Sequence, residues 1–522
     1  MSDRLTDALL DLAPGEPLTV GQAFEGICVF GGTGSGKTSG SGRALATAML
    51  KRGWGGLVLT AKPDERELWE RYAAETGRSA DVRVVEAGGD ATLNLLEYEH
   101  KRNGREASFI EEIANVLNSA IAAGSPQNAR GSTDPFWDFS TRQLLVNALD
   151  LLALSGEPLD LFETTRIIRT APLDRKGADD AEAFAQAETE AELDAWRKRS
   201  GATNPTAFER YLRLAYRRWS NDPEIVAKVG PLSDERKDDL LETRNYWFSD
   251  FVNFDPKTRS NVLCVLTSKT SGLARSPFRR LFSSETTVTP EDTFAEKNPK
   301  ILILDLPYKK FGETGRFAQL LFKRIWQRAV EKRGNVGGPV FLWADEAQYF
   351  ATKEDALFQQ TARSSRAATV YLSQSVPNYR VALGESGDST NATDALLGNF
   401  QTIIFHSNGC PGTNEYGQRL FGEEMRTTTS ASQGASGLGV STSANYFPVL
   451  PANLFARLKK GGVANGLLVE AYIFQAGRSW TTNGGKNWLK TVFSQSGATN
   501  GSGRDASPPP PPLPPKRRFS FM

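Results

Sequence analysis

What the chain has little of narrows its chemistry before any motif is read. Three cysteines, Cys28, Cys264 and Cys410, form no C-x-x-C pair in 522 residues. No disulfide framework is expected from them, and a reducing compartment suits them. Only two histidines, His100 and His406, are present, so no imidazole cluster has metal-site spacing and both read as structural. No window reaches about 18 uninterrupted apolar residues; the best, Leu144 to Leu154, is broken by Asn147 and Asp150 and reads as a core helix. Residues 1–14 carry charges without an apolar stretch, so no signal peptide is expected and the reading is a cytoplasmic protein. Excess charge is missing too. With 62 basic and 61 acidic residues the net charge is +1, so contact with a polyanion has to come from a local patch.

Against these absences stands one stretch, Gly31-Gly32-Thr33-Gly34-Ser35-Gly36-Lys37-Thr38, directly after the apolar run Gly26-Ile27-Cys28-Val29-Phe30. This is G-x-x-x-x-G-K-T between a strand pattern and a helix pattern, the setting of a phosphate-binding loop. Its glycines let backbone N–H groups turn toward phosphate oxygens. Lys37 can reach the outer phosphates, and the Thr38 hydroxyl can ligate Mg²⁺. A nucleoside triphosphate is therefore the expected ligand.

Around the loop, apolar runs alternate with helical patterns. Strands are expected at Leu57 to Thr60, Val82 to Glu86, Lys300 to Asp305, Val340 to Ala344, Ala368 to Leu372 and Thr402 to Phe405, with helices at Thr38 to Lys51, Glu67 to Thr76 and Phe317 to Arg333. That order predicts an α/β fold with a mostly parallel, doubly wound sheet whose ligands sit at the carboxyl ends of the strands. The strand pattern is lost from about residue 106 to 255 and returns after about 256. The expected division is a nucleotide-binding domain, first part, at 1–105; an all-helical insertion at 106–255; the second part at 256–493; and a tail at 494–522. Residues 1–25 read as a short lead-in, with a turn at Asp11-Leu12-Ala13-Pro14-Gly15. The Ser/Thr/Gly-rich residues 426–446 read as a mobile loop. The Gly/Ser and then Pro-rich stretch from Ser494 reads as a disordered tail, either docking a partner or only solubilising.

A phosphate-binding loop needs a carboxylate on a neighbouring strand for the metal shell and a group that activates water. Asp305 has no acidic neighbour, whereas Asp345-Glu346 closes a fully apolar strand. Asp345, with Thr38, is assigned to the metal and Glu346 to the base. Gln374 closes the next strand and is a candidate γ-phosphate sensor. Arg363 and Arg366 precede that strand; either can supply a cation to phosphoryl transfer in a neighbouring subunit, or both are surface ion pairs. Arg210, Arg213, Arg217 and Arg218 interleave with Tyr211, Tyr216 and Trp219. This run either touches nucleic acid or is an amphipathic helix with its aromatics in the core.

Taken together, these groups resemble the coupling-protein ATPases of bacterial conjugation and type IV secretion, the VirD4/TraG/TraD family. Gly31 to Thr38 looks like the family P-loop (Walker A), Lys62-Pro63-Asp64-Glu65 like its Asp-Pro-Lys-Gly-Glu segment, and Asn94-Leu95-Leu96 like its Asn-Pro-Leu. Thr258-Arg259-Ser260 is similar to its Arg-Thr-Leu-Ser region, Asp345-Glu346 to its Walker B pair and Gln374-Ser375 to its Gln-Ser motif. Arg363 falls where the family carries an arginine finger, and Asn399 before the strand Thr402 to Phe405 also fits. The resemblance spans roughly residues 25 to 480. It implies a RecA-like domain with a helical insertion, ATP and Mg²⁺ as ligands, and a ring of six copies that moves DNA, or protein-linked DNA such as a relaxase complex, toward a secretion channel. The sequence departs from the family in having Pro63-Asp64 in place of a glycine, an unfamiliar proline-rich tail and no N-terminal pair of transmembrane helices. The last departure implies a partner that brings it to the inner membrane, or another DNA-handling task of the HerA/FtsK kind. A third reading is an ATP-gated adaptor for a relaxase or effector protein.

Overall fold

A computed structural model of the chain describes residues 3–102, 104, 108–123, 135–283, 285–385, 391–434 and 437–496. In chain order the strands are β1 (Ala8–Ala13), β2 (Glu16–Thr19), β3 (Ile27–Phe30), β4 (Gly55–Leu59), β5 (Val82–Glu86), β6 (Ile301–Asp305), β7 (Val340–Ala344), β8 (Ala367–Ser373), β9 (Thr402–Phe405), β10 (Glu423–Gly434), β11 (Gly437–Pro448), β12 (Leu468–Gln475) and β13 (Trp488–Ser494). A central sheet of 9 strands runs β13-β12-β9-β3-β8-β7-β4-β6-β5. From β9 to β5 every neighbouring pair is parallel. β12 joins β9 antiparallel, and β13 joins β12 antiparallel.

Alternation along each strand explains why helices cover both faces. Cys28 and Phe30 of β3 enter the core on one side, and Ile27 and Val29 enter it on the other. In β7, Leu342 and Ala344 face the first side while Phe341 and Trp343 face the second. There Trp69, from the helix Glu65–Glu75, stacks on Phe341 and meets Trp343 edge-on, each at 5.3 Å between ring centres. Burying side chains of this size stabilises the fold by on the order of 2–3 kcal/mol apiece. The result is the doubly wound parallel sheet expected from the alternating pattern.

Several elements differ from expectation. Among the described residues, every element from Leu95 to Ser283 is helical, so helices continue past residue 256, and strands resume at Ile301, where the Lys300 to Asp305 strand is expected. Residues 1–25 contain the hairpin β1–β2 and the helix Val20–Phe24 rather than a bare lead-in. The Ser/Thr-rich stretch at 426–446 is not a loop: β10 and β11 pair in unbroken antiparallel register from Glu423↔Pro448 to Gly434↔Gly437. Threonine is β-branched and suits a pleated strand, so a composition typical of loops here builds a ribbon. β13 continues through Ser494, and Gln495 is tied to Ser39, Arg43 and Gly462, so the expected tail start at 494 is ordered structure. The rest of that tail, 497–522, lies outside the described residues. No helix among the described residues is long and apolar enough to cross a membrane.

Candidate functional site

The loop Gly31–Thr38 leaves the carboxyl end of β3 and is fixed at both sides. Gly31 N–H donates to Ser373 O at 3.2 Å and Gly32 N–H to Ser407 O at 3.0 Å, tying the loop to the ends of β8 and β9. Gly36 has φ +87, a left-handed conformation that favours glycine, and an added Cβ would meet Val469 of β12 at 2.6 Å. A Cβ at Gly31 would strike Ser35 Oγ. The first turn after the loop is wide, with Gly42 N–H reaching back five residues to Lys37 O at 2.8 Å, before a regular helix over Arg43–Lys51. Within the cradle, Ser35 Oγ is buried without a hydrogen-bond partner. A buried hydroxyl in that position, beside Gly32, Thr33 and Gly34, fits a loop shaped for phosphate oxygens.

Three adjacent strand ends meet here, because β8 lies between β3 and β7. Thr38 Oγ1 donates to Asp345 Oδ2 at 2.6 Å. Lys37 Nζ stands 3.8 Å from Asp345 Oδ1 and 3.4 Å from Glu346 Oε1. Gln374, at the end of β8, donates through Nε2 to Glu346 Oε1 at 3.1 Å and Oε2 at 3.3 Å. Lys37, Thr38, Asp345, Glu346 and Gln374 are thus brought together, and Thr38 with Asp345 offers the hard oxygen donors that suit Mg²⁺. Glu346 adopts φ 52, ψ 47, which is uncommon for a residue with a side chain, and its N–H is held by Asp345 Oδ1 at 2.9 Å. Burial by itself would raise the pKa of Glu346. The Lys37 ammonium, hydrogen bonds from Gln348 and Gln374, and Lys62 outweigh burial and hold the carboxyl down at about 2, so this carboxylate is ionised at neutral pH.

Two further side chains reach Glu346: Gln348, which no motif marks, and Lys62, which opens the segment similar to the family's Asp-Pro-Lys-Gly-Glu. Gln348 donates to Glu346 Oε2 at 3.0 Å and accepts from Ser373 Oγ at 2.8 Å. Lys62, just past the end of β4, donates to Glu346 Oε1 at 3.0 Å. Asp305 is directed elsewhere, accepting from Arg66 at 3.3 Å. Asn94 accepts from Glu97 N–H at the start of the helix Leu95–Arg102, Arg259 donates to Leu173 O, and Asn399 donates to Ala356 O; all three are tethers within the fold. His406 is fully buried between Ser41 Oγ, 2.7 Å away, and Glu470 O, 3.0 Å away.

Arg363 is not near this cluster. It ends the helix Lys353–Ala362 at the opposite end of β8 from Gln374, roughly 20 Å along the strand. Its side chain is 59% exposed and pairs with Glu25 at 3.0 Å. Arg366, with φ 52, donates to Asp3 O at 3.1 Å. The arginines of the helix Ala207–Trp219 are paired within the chain. Arg210 meets Glu163, Arg213 meets Phe184 O, Arg217 meets Asp222 and Glu224, and Arg218 meets Gly230 O, Ala153 O and Leu154 O. Tyr211 and Tyr216 are buried while Trp219 is 41% exposed. Of the two readings of this run, the amphipathic helix with tyrosines in the core is the one observed. Each of the four arginines has a partner within the chain.

The sequence matches no family model and no curated protein. Solved structures do match in fold. The bacterial conjugative coupling protein TrwBdeltaN70, in a trigonal form with sulphate, superposes with a TM-score of 0.56 at 15% identity, over 96% of this chain and 94% of that one. The plasmid coupling protein TrwB with ADP and Mg²⁺ gives 0.55 at 15% identity, over 95% and 92%. TrwB with the non-hydrolysable ATP analogue ADPNP gives 0.53 at 15% identity, over 95% and 93%. At this identity the likeness speaks for the fold alone. That fold, a RecA-like P-loop architecture with added helices, is the one expected from the motifs.

Proposed function

We propose that the chain is an ATP hydrolase that assembles as a ring, a homo-hexamer, and spends hydrolysis on moving DNA or DNA-linked protein. The observation that carries this reading is the convergence of Lys37, Thr38, Asp345, Glu346 and Gln374 on one point beside the glycine cradle. The coupling proteins of the same fold solved with ADP and Mg²⁺ or with an ATP analogue support ATP and Mg²⁺ as the ligands. In this assignment the N–H groups of Thr33, Gly34 and Gly36 hold phosphate oxygens and Lys37 faces the outer phosphates. Thr38 and Asp345 hold Mg²⁺, which when bound offsets phosphate charge. Glu346 accepts the proton of the attacking water, and Gln374 orients it. Arg363 lies too far from its own P-loop to act there and is assigned to the next subunit, with Arg366 as the substitute.

The helical unit, residues 106–255, is assigned to cargo within a nucleotide domain made of 1–105 and 256–493. Relaxase and secretion-channel proteins are the partners this reading implies, with recruitment to the inner membrane by one of them. A second reading, an ATP-gated adaptor that grips a relaxase or effector protein, is favoured by one observation: the four helical arginines are engaged internally. ATPase rate with single- and double-stranded DNA over a salt series decides between them. DNA stimulation that fades as salt rises supports the motor, since phosphate contacts release counterions. No stimulation, with the ring shown to form, supports the adaptor. Stimulation without any channel or relaxase partner points to a HerA/FtsK-like translocase.

A further inference from the structure

The carboxylate of Glu346 is saturated. Oε1 takes Lys62 at 3.0 Å, Gln374 at 3.1 Å and Lys37 at 3.4 Å, while Oε2 takes Gln348 at 3.0 Å and Gln374 at 3.3 Å. A general base needs a lone pair facing water, so this arrangement is a resting one. Something has to draw a donor away before the base can work.

Of the two ammonium groups on Oε1, Lys37 already has a partner in prospect, because its place in the P-loop aims it at the outer phosphates. Lys62 is surplus to that scheme. It belongs to the loop after β4, and β4 pairs with β7 in a register that sets Leu59 against Ala344, one residue before Asp345. The loop is braced just before it: Thr60 N–H donates to Gln319 at 2.7 Å, Ala61 N–H to buried Glu65 at 2.7 Å, and Ala61 O accepts from Lys309 N–H at 3.0 Å. The backbone is therefore fixed while the four-carbon stem, 40% exposed, can swing. Glu346 already has the Lys37 ammonium and two amide donors against it, so a second cation is not needed to offset its charge.

We propose that Lys62 is a terminal-phosphate sensor: parked on Glu346 in the resting chain, it moves to the γ-phosphate and so frees the base. The inference rests on the ATP-hydrolase reading above. A diphosphate lacks the group that would attract Lys62, so ADP leaves Glu346 capped and ATP uncaps it. Hydrolysis is thereby tied to the correct nucleotide before water is activated.

The test is calorimetric binding of ADP and of a non-hydrolysable ATP analogue, both with Mg²⁺, to the wild type, Lys62→Met and Lys62→Arg, with urea midpoints for each. The expected result is ADP affinity within about two-fold of wild type in Lys62→Met, ATP-analogue affinity weaker by on the order of ten-fold, and partial restoration in Lys62→Arg. An unchanged ratio of the two affinities, or an equal loss for both nucleotides, overturns the proposal; the Lys62→Arg ratio decides should the methionine variant fold poorly. Wild type that binds neither nucleotide overturns the hydrolase reading itself and this inference with it, an outcome visible without any variant.

Discussion

Lys323 Nζ lies 2.7 Å from both carboxylate oxygens of Asp355, and neither side chain is more than 3% exposed. The same carboxylate accepts from Gln327 at 2.7 Å and from Thr352 N–H at 2.9 Å, closing the start of the helix Lys353–Ala362 that leads into Arg363. This pair joins the long helix Tyr308–Arg333, broken at Gly312, to the segment that carries the exposed arginine. Replacing Lys323 by Met leaves a buried carboxylate uncompensated, and the expected loss is about 3–5 kcal/mol in chemical denaturation. The double variant Lys323→Met/Asp355→Asn should recover at least half of it. A single variant with an unshifted midpoint would show that the pair does not hold these helices together.

Lys37→Ala and Glu346→Gln should fail differently. Removing Lys37 takes away the cation in the cradle and is expected to abolish both tight nucleotide binding and turnover. Glu346→Gln keeps the hydrogen-bonding shape, so binding should stay within a few-fold while turnover falls by about 10²-fold or more. Equilibrium binding and steady-state phosphate release, measured side by side, check the split. Wild-type turnover in Glu346→Gln would remove it as the base.

For Arg363, subunit mixing is the decisive measurement, because the length of β8 separates it from Gln374 in the same chain. A Lys37→Ala subunit can still donate its arginine, and an Arg363→Ala subunit can still bind nucleotide. Mixtures should therefore regain turnover above the sum of the separate proteins. Absence of any gain moves the assignment to Arg366.

His406 makes stability depend on pH. Burial pushes its pKa down to about 4 from 6.5. The unfolded chain takes up this proton below about 6.5 and the folded chain only below about 4. The contribution is thus fully present above that window and is lost as pH falls through it, by about 3 kcal/mol in all. Denaturation of wild type and His406→Gln at pH 7 and pH 5 should show the variant losing about 2 kcal/mol less over that interval. Equal losses would mean that the buried imidazole is not the group titrating.

How much of this was legible beforehand follows from the kind of signal each feature leaves. Gly31 to Thr38 and Asp345-Glu346 impose local chemistry on local sequence, so motif and apolar strand together located them. Val340–Ala344 was readable to the residue because a buried parallel strand is short, apolar and bounded by turns, and Val82–Glu86 because its valines are β-branched. β13 also carries a clear period of two, with Leu489, Thr491 and Phe493 inward and Lys490 outward, yet it was folded into an undivided second part. Lys62 stands in a segment that the resemblance marks, but its contact with Glu346 leaves no trace in the sequence. A lysine in a loop has no periodicity, and its partner Glu346 lies 284 positions away. The arginines of Ala207–Trp219 were misleading on the same ground, since Arg218 is used by carbonyls of Ala153 and Leu154 that no spacing rule connects to it.

The strand order has a consequence for how the chain is made. β3, which bears the P-loop, pairs only with β8 and β9, and β8 begins at Ala367. At synthesis rates of about 5–20 residues per second, roughly 20 to 70 seconds pass between the emergence of β3 and that of its first neighbour. Val469 and Phe493, which pack against Gly36 and Gly40 of the cradle, arrive later still. The apolar run Ile27–Phe30 therefore waits on the ribosome with both edges unpaired. The packing around the cradle is therefore complete only once β13 has emerged, near the end of translation.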